Sequence, residues 1–82
     1  MVKVMAGRIY STPTCSFCDQ LKSYLRERSV KFVDYDVSRD ERKAGEMLHK
    51  SRQTAVPVLD FHGTVVVGFD KPKVDRLIAR YR

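Results

Sequence analysis

The two cysteines of this 82-residue chain, Cys15 and Cys18, are separated by only two residues. A disulfide between them closes a very small loop, so it restricts the unfolded chain little and contributes little to stability. The fold must therefore rest on a hydrophobic core, and a chain of this length has room for one domain. We expect residues 1–82 to form that single domain, with residues 1–6 either extending the first strand or added in front of it.

The composition is that of a globular protein, with 43% hydrophobic and 32% charged residues. No apolar run approaches the roughly 18 residues that a membrane span requires. The N-terminus carries Lys3 but no long apolar stretch after it, which is unlike a secretory signal. We therefore expect no membrane partner and a reducing, cytoplasmic location.

The chain is basic, with a net charge of +6. The lysines and arginines are spread along the sequence and most alternate with Asp or Glu, and no zinc-finger or RNA-binding motif accompanies them. This pattern favours solvated helix faces, with attraction to an acidic redox partner as a second interpretation. Nucleic acid is not an expected partner.

Hydrophobic periodicity predicts seven elements in the order β-α-β-α-β-β-α. The predicted strands are residues 8–10, 30–37, 58–61 and 65–67. The predicted helices are residues 16–28, a second one that opens at a capping box beginning at Ser38 and ends near residue 50, and a last one from about 71 onward. A right-handed crossover makes the first two strands parallel, and a hairpin adds an antiparallel pair. The expected fold is α/β, with a four-stranded mixed sheet covered by three helices.

Local signals mark several boundaries of these elements. Ser38-x-x-Glu41 predicts a capping box at the start of the second helix. The segment 62–64 predicts a tight hairpin, and Asp70 predicts the cap of the last helix. The apolar stripe expected on that helix is Val74, Leu77, Ile78 and Tyr81.

The position of the cysteine pair favours redox chemistry. The thiolate is the form of cysteine that attacks a disulfide, and the first turn of a helix offers unpaired N–H groups and the positive end of the helix dipole. Cys15 stands at such a turn, and the hydroxyls of Thr14 and Ser16 are expected nearby. Cys18 lies one turn further on the same side. We expect Cys15 to be the exposed nucleophile and Cys18 the covered, resolving thiol.

A metal site is the competing interpretation of a C-x-x-C motif. His49 and His62 would have to complete it, and their spacing does not match that of zinc-binding domains. We expect both histidines to be surface residues and no metal to be bound.

Four segments together resemble the glutaredoxin family, which has the thioredoxin fold. They are residues 10–18 (YSTPTCSFC), 35–37 (YDV), 53–57 (QTAVP) and 67–70 (VGFD). The similarity extends over most of the chain, from about residue 7 to residue 80. It implies a thiol–disulfide oxidoreductase, a dithiol electron carrier that reduces protein disulfides or glutathione mixed disulfides.

The resemblance also implies a binding surface around the dithiol. The substrate or glutathione contacts that it suggests are Thr12, Thr14, Phe17, Gln53, Val56, Pro57, Gly68, Phe69 and Asp70. The Val56–Pro57 bond is expected to be cis, with the Val56 backbone pairing with substrate like an added strand. Amides at 68–70 are expected to hold the γ-glutamyl carboxylate of glutathione. Two simpler interpretations stay open: Asp70 as a plain helix cap and Phe69 as a core residue.

Departures from the family pattern leave the electron donor open. Thr12 stands where many glutaredoxins have a basic residue, and Gly68-Phe69 replaces a double glycine, as in NrdH-type redoxins. Those proteins take electrons from thioredoxin reductase and reduce ribonucleotide reductase. The expected partners are disulfide-containing proteins, with glutathione or a thioredoxin-reductase-type flavoenzyme as the donor to a monomer that has no tightly bound cofactor. The alternative function is a glutathione-ligated [2Fe–2S] module in which Cys15 of two chains holds the cluster.

Overall fold

The computed structural model describes residues 6–81, and its element order is the predicted one. The strands are β1 (Ala6–Ser11), β2 (Lys31–Asp36), β3 (Val58–Phe61) and β4 (Thr64–Val67), and the helices are α1 (Ser16–Glu27), α2 (Glu41–Ser51) and α3 (Lys71–Tyr81). Ala6 is already part of β1, and the rest of the predicted N-terminal segment lies outside the described residues.

The four strands form one mixed sheet in the order β2-β1-β3-β4. β1 and β2 are parallel, as the right-handed crossover predicts, and the β1–β3 and β3–β4 pairs are antiparallel. The turn between β3 and β4 consists of His62 and Gly63, both at positive φ, and Thr64 is already part of β4. Two positive φ values are what a two-residue hairpin turn requires, so the predicted hairpin is confirmed.

Two hydrophobic clusters hold helices on opposite faces of the sheet. The larger cluster joins α1 and α3 to one face, and its buried members are Ile9, Leu21, Leu25, Val30, Leu59, Phe61, Val66, Val74, Leu77 and Ile78. The smaller cluster, Tyr10, Met47 and Val58, joins α2 to the other face. Neighbouring residues such as Ile9 and Tyr10 divide between the two clusters because successive side chains of a strand point to opposite faces.

The amphipathic stripe of α3 is confirmed at Val74, Leu77 and Ile78, which are all buried. The side chain of Tyr81 lies outside the described residues. None of the helices within residues 6–81 is long and apolar enough to span a bilayer.

The predicted capping box at the start of α2 is wrong. The N-cap is Asp40, whose Oδ1 accepts the Lys43 N–H at 3.1 Å. Ser38 is held in the preceding turn, where its N–H donates to Asp36 Oδ1 at 2.9 Å and its hydroxyl donates to the same oxygen. These bonds lower the pKa of Asp36, the side-chain bond having the largest effect. A carboxylate nearer the helix therefore does the capping in place of the serine.

A polar network fixes α2 on the sheet. The buried hydroxyl of Tyr10 donates to Glu46 Oε1 at 3.2 Å and accepts from Lys50 Nζ at 3.0 Å. Lys50 Nζ also donates to Asp60 Oδ2 at 2.6 Å. Burial alone would lower the pKa of Lys50, but the bonds to Asp60 and Tyr10 outweigh it and the pKa is raised. Lys50 thus keeps its charge, and the Tyr10 hydroxyl has the partners that a buried polar group needs.

Two glycines with open space around them give a matched test of the backbone. Gly45 lies inside α2, and a Cβ there would meet nothing within 4 Å; the same holds for Gly63, but at a φ of +91°. We expect Gly45→Ala to raise the free energy of unfolding by about 0.5–1 kcal/mol. Gly63→Ala should lower it by roughly 1–2 kcal/mol, because a side chain is strained at positive φ. Urea unfolding measures both, and equal effects would contradict the assigned backbone conformations.

Candidate active site

Cys15 is the N-cap of α1, and the two cysteines are in contact across its first turn. The Cys15 backbone is extended, and its Sγ accepts the Cys18 N–H at 3.1 Å. The two Sγ atoms are in disulfide contact, with the Cα atoms 5.2 Å apart, inside the usual range for disulfides. A sulfur at this position thus receives one of the N–H groups that a helix start leaves unpaired.

The two sulfurs differ in exposure. Cys15 is partly exposed, whereas Cys18 is fully buried. Attack on a large substrate disulfide requires a sulfur that the substrate can reach, and only Cys15 meets that condition. This asymmetry agrees with the expected roles of nucleophile and resolving thiol.

The loop before α1 is a tight turn. The Cys15 N–H donates to the Thr12 carbonyl oxygen at 3.3 Å, so Thr12 helps to set the position of the sulfur through its backbone. Thr14 and Ser16 are exposed, and among residues 6–81 neither hydroxyl donates to Cys15 Sγ. The hydroxyl donors expected from the sequence are therefore not engaged with the sulfur, and the backbone N–H of Cys18 takes that role.

A buried group that the sequence analysis missed supports the end of β1. Ser11 is 2% exposed and donates to Asp34 Oδ1 at 2.6 Å, and Asp34 Oδ2 pairs with Lys22 Nζ at 2.7 Å. The bonds connect β1, β2 and α1 next to the cysteine loop. The signal that would have found them is the parallel pairing of β1 and β2, which brings the carboxyl ends of both strands together.

The Val56–Pro57 bond is cis, as the resemblance implies. Tyr10 pairs with Val58, so the residues just before β3 lie at the end of the sheet where β1 enters the cysteine loop. Val56 is partly buried against the smaller cluster. Among residues 6–81 no hydrogen bond engages its N–H or C=O, which leaves both groups available to an incoming chain.

The segment after β4 only partly matches its expected role. Gly68, at a φ of +80°, donates its N–H to the Pro57 carbonyl oxygen at 2.8 Å. This bond joins the two loops and uses the Gly68 amide, so in this arrangement that one amide is not available to a carboxylate. Asp70 Oδ1 accepts the Lys73 N–H at 3.3 Å, which confirms it as a helix cap.

Phe69 and Phe17 have opposite surroundings. Phe69 is partly buried against the larger cluster and meets the Tyr24 ring edge-on, with centroids 5.4 Å apart. Its interpretation as a core residue is therefore supported. Phe17 is 58% exposed between the two cysteines and offers an apolar surface beside the dithiol.

The side-chain amide of Gln53 makes its hydrogen bonds within its own loop. Its Nε2 donates to the Ala55 carbonyl oxygen at 3.0 Å and to Ser51 Oγ at 3.2 Å, while its Oε1 accepts the Ala55 N–H. The side chain therefore braces the segment that precedes Pro57. In this arrangement its amide would have to leave these partners in order to contact glutathione.

Metal-binding side chains do not assemble anywhere in residues 6–81, where no group of three or more His, Cys, Asp or Glu residues lies together. His49 is exposed on α2, and His62 lies in the β3–β4 hairpin with its ring against Phe61. An iron–sulfur cluster at Cys15 would consequently need further ligands from glutathione and a second chain.

The glutaredoxin family model matches residues 8–66. This chain belongs to the glutaredoxin family. A glutaredoxin-like 8.6 kDa protein from the rubredoxin operon of Clostridium pasteurianum is 42% identical over 73 residues, which cover 89% of this chain and 97% of that protein.

Solved glutaredoxin-like structures agree with the fold and with this assignment. The thioredoxin-like protein BC3987 superposes with a TM-score of 0.82 at 27% identity, covering 87% of this chain and 97% of its own. NrdH-redoxin from Escherichia coli superposes with a TM-score of 0.76 at 26% identity, covering 89% of this chain and 95% of its own. The thioredoxin-like fold is thereby confirmed, and the chain is a glutaredoxin-like redox protein with a Cys-x-x-Cys pair.

The difference in exposure predicts selective chemistry in the reduced protein. Iodoacetamide should modify Cys15 at least roughly tenfold faster than Cys18, because the buried sulfur is shielded from the reagent. Peptide mapping by mass spectrometry at short reaction times gives both rates, and the same protein in urea serves as the control in which the two rates converge. Faster modification of Cys18 in the folded protein would contradict the arrangement.

Proposed function

We propose that this glutaredoxin-like protein is a thiol–disulfide oxidoreductase that reduces disulfide bonds in proteins through Cys15 and Cys18. The observation that carries the proposal is the pairing of an N-capping, partly exposed Cys15 with a buried Cys18 one turn away. An N–H donor and the helix dipole favour the anionic form of the first sulfur. The second sulfur is already within bonding reach of it.

The reaction consists of two successive thiol–disulfide exchanges. The Cys15 thiolate attacks one sulfur of the substrate disulfide, a new S–S bond forms, and the other substrate sulfur leaves as a thiolate that takes up a proton. Cys18 then loses its proton and attacks Cys15 Sγ. The first substrate sulfur is released as a second thiol, and the protein keeps the Cys15–Cys18 disulfide. Two electrons have passed to the substrate, and an external reductant must restore them.

Substrate binding is proposed to use the backbone of Val56. Its free N–H and C=O lie at the end of the sheet where β1 enters the cysteine loop, and a substrate segment pairing there would be an added strand. Phe17 supplies exposed apolar surface next to the attacking sulfur of Cys15. Backbone pairing with one apolar contact depends on the extended conformation of the substrate segment and little on its sequence. Such binding suits a protein that reduces several different protein disulfides.

We propose further that the electron donor is a thioredoxin-reductase-type flavoenzyme and not glutathione. Thr12 offers no positive charge for a carboxylate, Gln53 is engaged within its own loop, and the Gly68 amide is bonded to Pro57. Three of the groups suggested for glutathione are thus uncharged or already in use. The solved structure of NrdH-redoxin is described as explaining a thioredoxin-like activity profile in that protein, which agrees with this choice.

Single cysteine variants test the chemistry. Cys15→Ser should lower the reduction of a protein disulfide by more than about a hundredfold, because the nucleophile is gone. Cys18→Ser should keep the first exchange and accumulate a mixed disulfide on Cys15, visible as an added mass that a reductant removes. Undiminished activity of Cys15→Ser would refute the assignment.

The donor is tested by two coupled assays with NADPH. Thioredoxin reductase should support disulfide reduction roughly tenfold faster than glutathione with glutathione reductase. Thr12→Lys, which places a positive charge where many glutaredoxins have one, should raise the glutathione-dependent rate and leave the other rate little changed. A higher rate with glutathione in the unmodified protein would overturn the choice of donor while leaving the dithiol chemistry intact.

A further inference from the structure

The two edges of the sheet differ in protection. The edge strand β2 carries the charged residues Lys31, Asp34 and Asp36, and charges of this kind hinder pairing with another chain. The opposite edge strand, β4, has the sequence TVVV and no charge. An uncharged edge is open to the addition of a further strand.

The ladder shows which groups of β4 point outward. Gly68 bonds to Pro57, so in the alternating antiparallel pattern the next bonded pairs are Leu59 with Val66 and Phe61 with Thr64. The N–H and C=O groups of Val65 and Val67 consequently face away from β3. Among residues 6–81, no hydrogen bond outside the strand ladder engages them. Two donors and two acceptors are therefore available along this edge.

A basic groove runs beside the same edge. Residues 64–66 and Leu77 form its apolar part, and Lys73, Arg76 and Arg80 form its charged part; its volume is about 380 Å³. We call it the β4–α3 groove. No acidic residue of the described chain lines it.

The positive charge of this groove is largely uncompensated. Arg76 and Arg80 make no ion pair within residues 6–81, and Lys73 Nζ lies 3.9 Å from Asp70 Oδ2. The acidic residue of α3, Asp75, instead accepts from the Tyr24 hydroxyl and pairs with Arg28.

We propose that the β4 edge and the β4–α3 groove bind an extended acidic peptide segment of a partner protein. The segment pairs with the backbone of Val65 and Val67 as a fifth strand, and its acidic side chains reach the basic row on α3. Alternate residues of a strand are about 7 Å apart, and Lys73 and Arg80 are separated by a helical rise of about 10 Å, so two acidic residues at alternate positions fall within the length of the row.

Other occupants fit less well. A second copy that paired β4 with β4 would bring two basic rows to the same face of the joined sheet, where they repel. Nucleic acid would match the charge but would not use the backbone groups of the edge. Neither cysteine lines the β4–α3 groove, and the proposal stands independently of the proposed redox function.

The test measures binding of a fluorescein-labelled peptide of alternating Glu and Val by fluorescence anisotropy. Arg76→Glu with Arg80→Glu should weaken binding by roughly tenfold or more, because attraction becomes repulsion. The matched control, Lys31→Glu with Arg42→Glu, makes the same change in net charge on other surfaces and should leave the affinity nearly unchanged. Equal losses in both variants would overturn the proposal, since they would indicate attraction to net charge alone.

The use of the backbone edge is tested by Val65→Pro. Proline removes the outward N–H without removing a bond to β3, and should weaken peptide binding by about fivefold. A peptide methylated on its backbone nitrogens should lose about the same affinity for the unmodified protein. This measurement needs no Val65 variant, so it tests strand pairing even if Val65→Pro fails to fold. Full binding of the methylated peptide overturns strand pairing.

Two further outcomes decide between occupants. A single-stranded DNA of equal charge should bind more weakly than the peptide and should not shift the amide signals of Val65 and Val67 in NMR spectra. Stronger binding of the DNA, or a dimer in sedimentation equilibrium that Val65→Pro dissociates, would overturn the proposal. The rate at which the protein reduces a small disulfide should be unchanged by the Arg76 and Arg80 substitutions. A failure of the peptide-binding proposal is therefore distinguishable from a failure of the redox assignment.

Discussion

The hydrogen bond from the Cys18 N–H to Cys15 Sγ is the interaction on which the site depends. It makes one residue both the cap of α1 and the group proposed to meet substrate, so the start of the helix and the position of this sulfur are set together. A serine or aspartate would cap a helix at this position as well. Only a cysteine adds a sulfur that can exchange disulfides, and the buried thiol one turn away then lies within reach for the second step.

The rest of the fold brings separate segments to this sulfur. The loop before β3 and the segment after β4 reach the same end of the sheet through strand pairing, and the bond from the Gly68 N–H to the Pro57 carbonyl joins them. Most of their polar groups already have hydrogen-bond partners within the protein: Gln53 braces its own loop and Asp70 caps α3. What remains for a substrate is backbone at Val56 and apolar surface. This balance supports the proposal of a protein substrate in place of glutathione.

The order of elements, the parallel pairing and the cysteine exposure followed from the sequence because each depends on local periodicity or spacing. The cap of α2 did not, since Ser38 and Asp40 are both good caps and the turn at Asp36 decides between them. The Ser11 bond to Asp34 was also missed, because it joins residues far apart in the chain. The roles of the residues suggested for glutathione, the absence of a tightly bound cofactor, the [2Fe–2S] alternative, the monomeric state and the cytoplasmic location stay predictions.

Folding of α1 should activate Cys15, and the pH dependence of its alkylation tests this activation. The rate of iodoacetamide modification of Cys15 should be measured across pH in the reduced Cys18→Ser protein and in the same variant unfolded in urea. The pH of the half-maximal rate should be distinctly lower for the folded protein than for the unfolded protein, because the helix start favours the thiolate. The same midpoint in the folded and unfolded protein would contradict it.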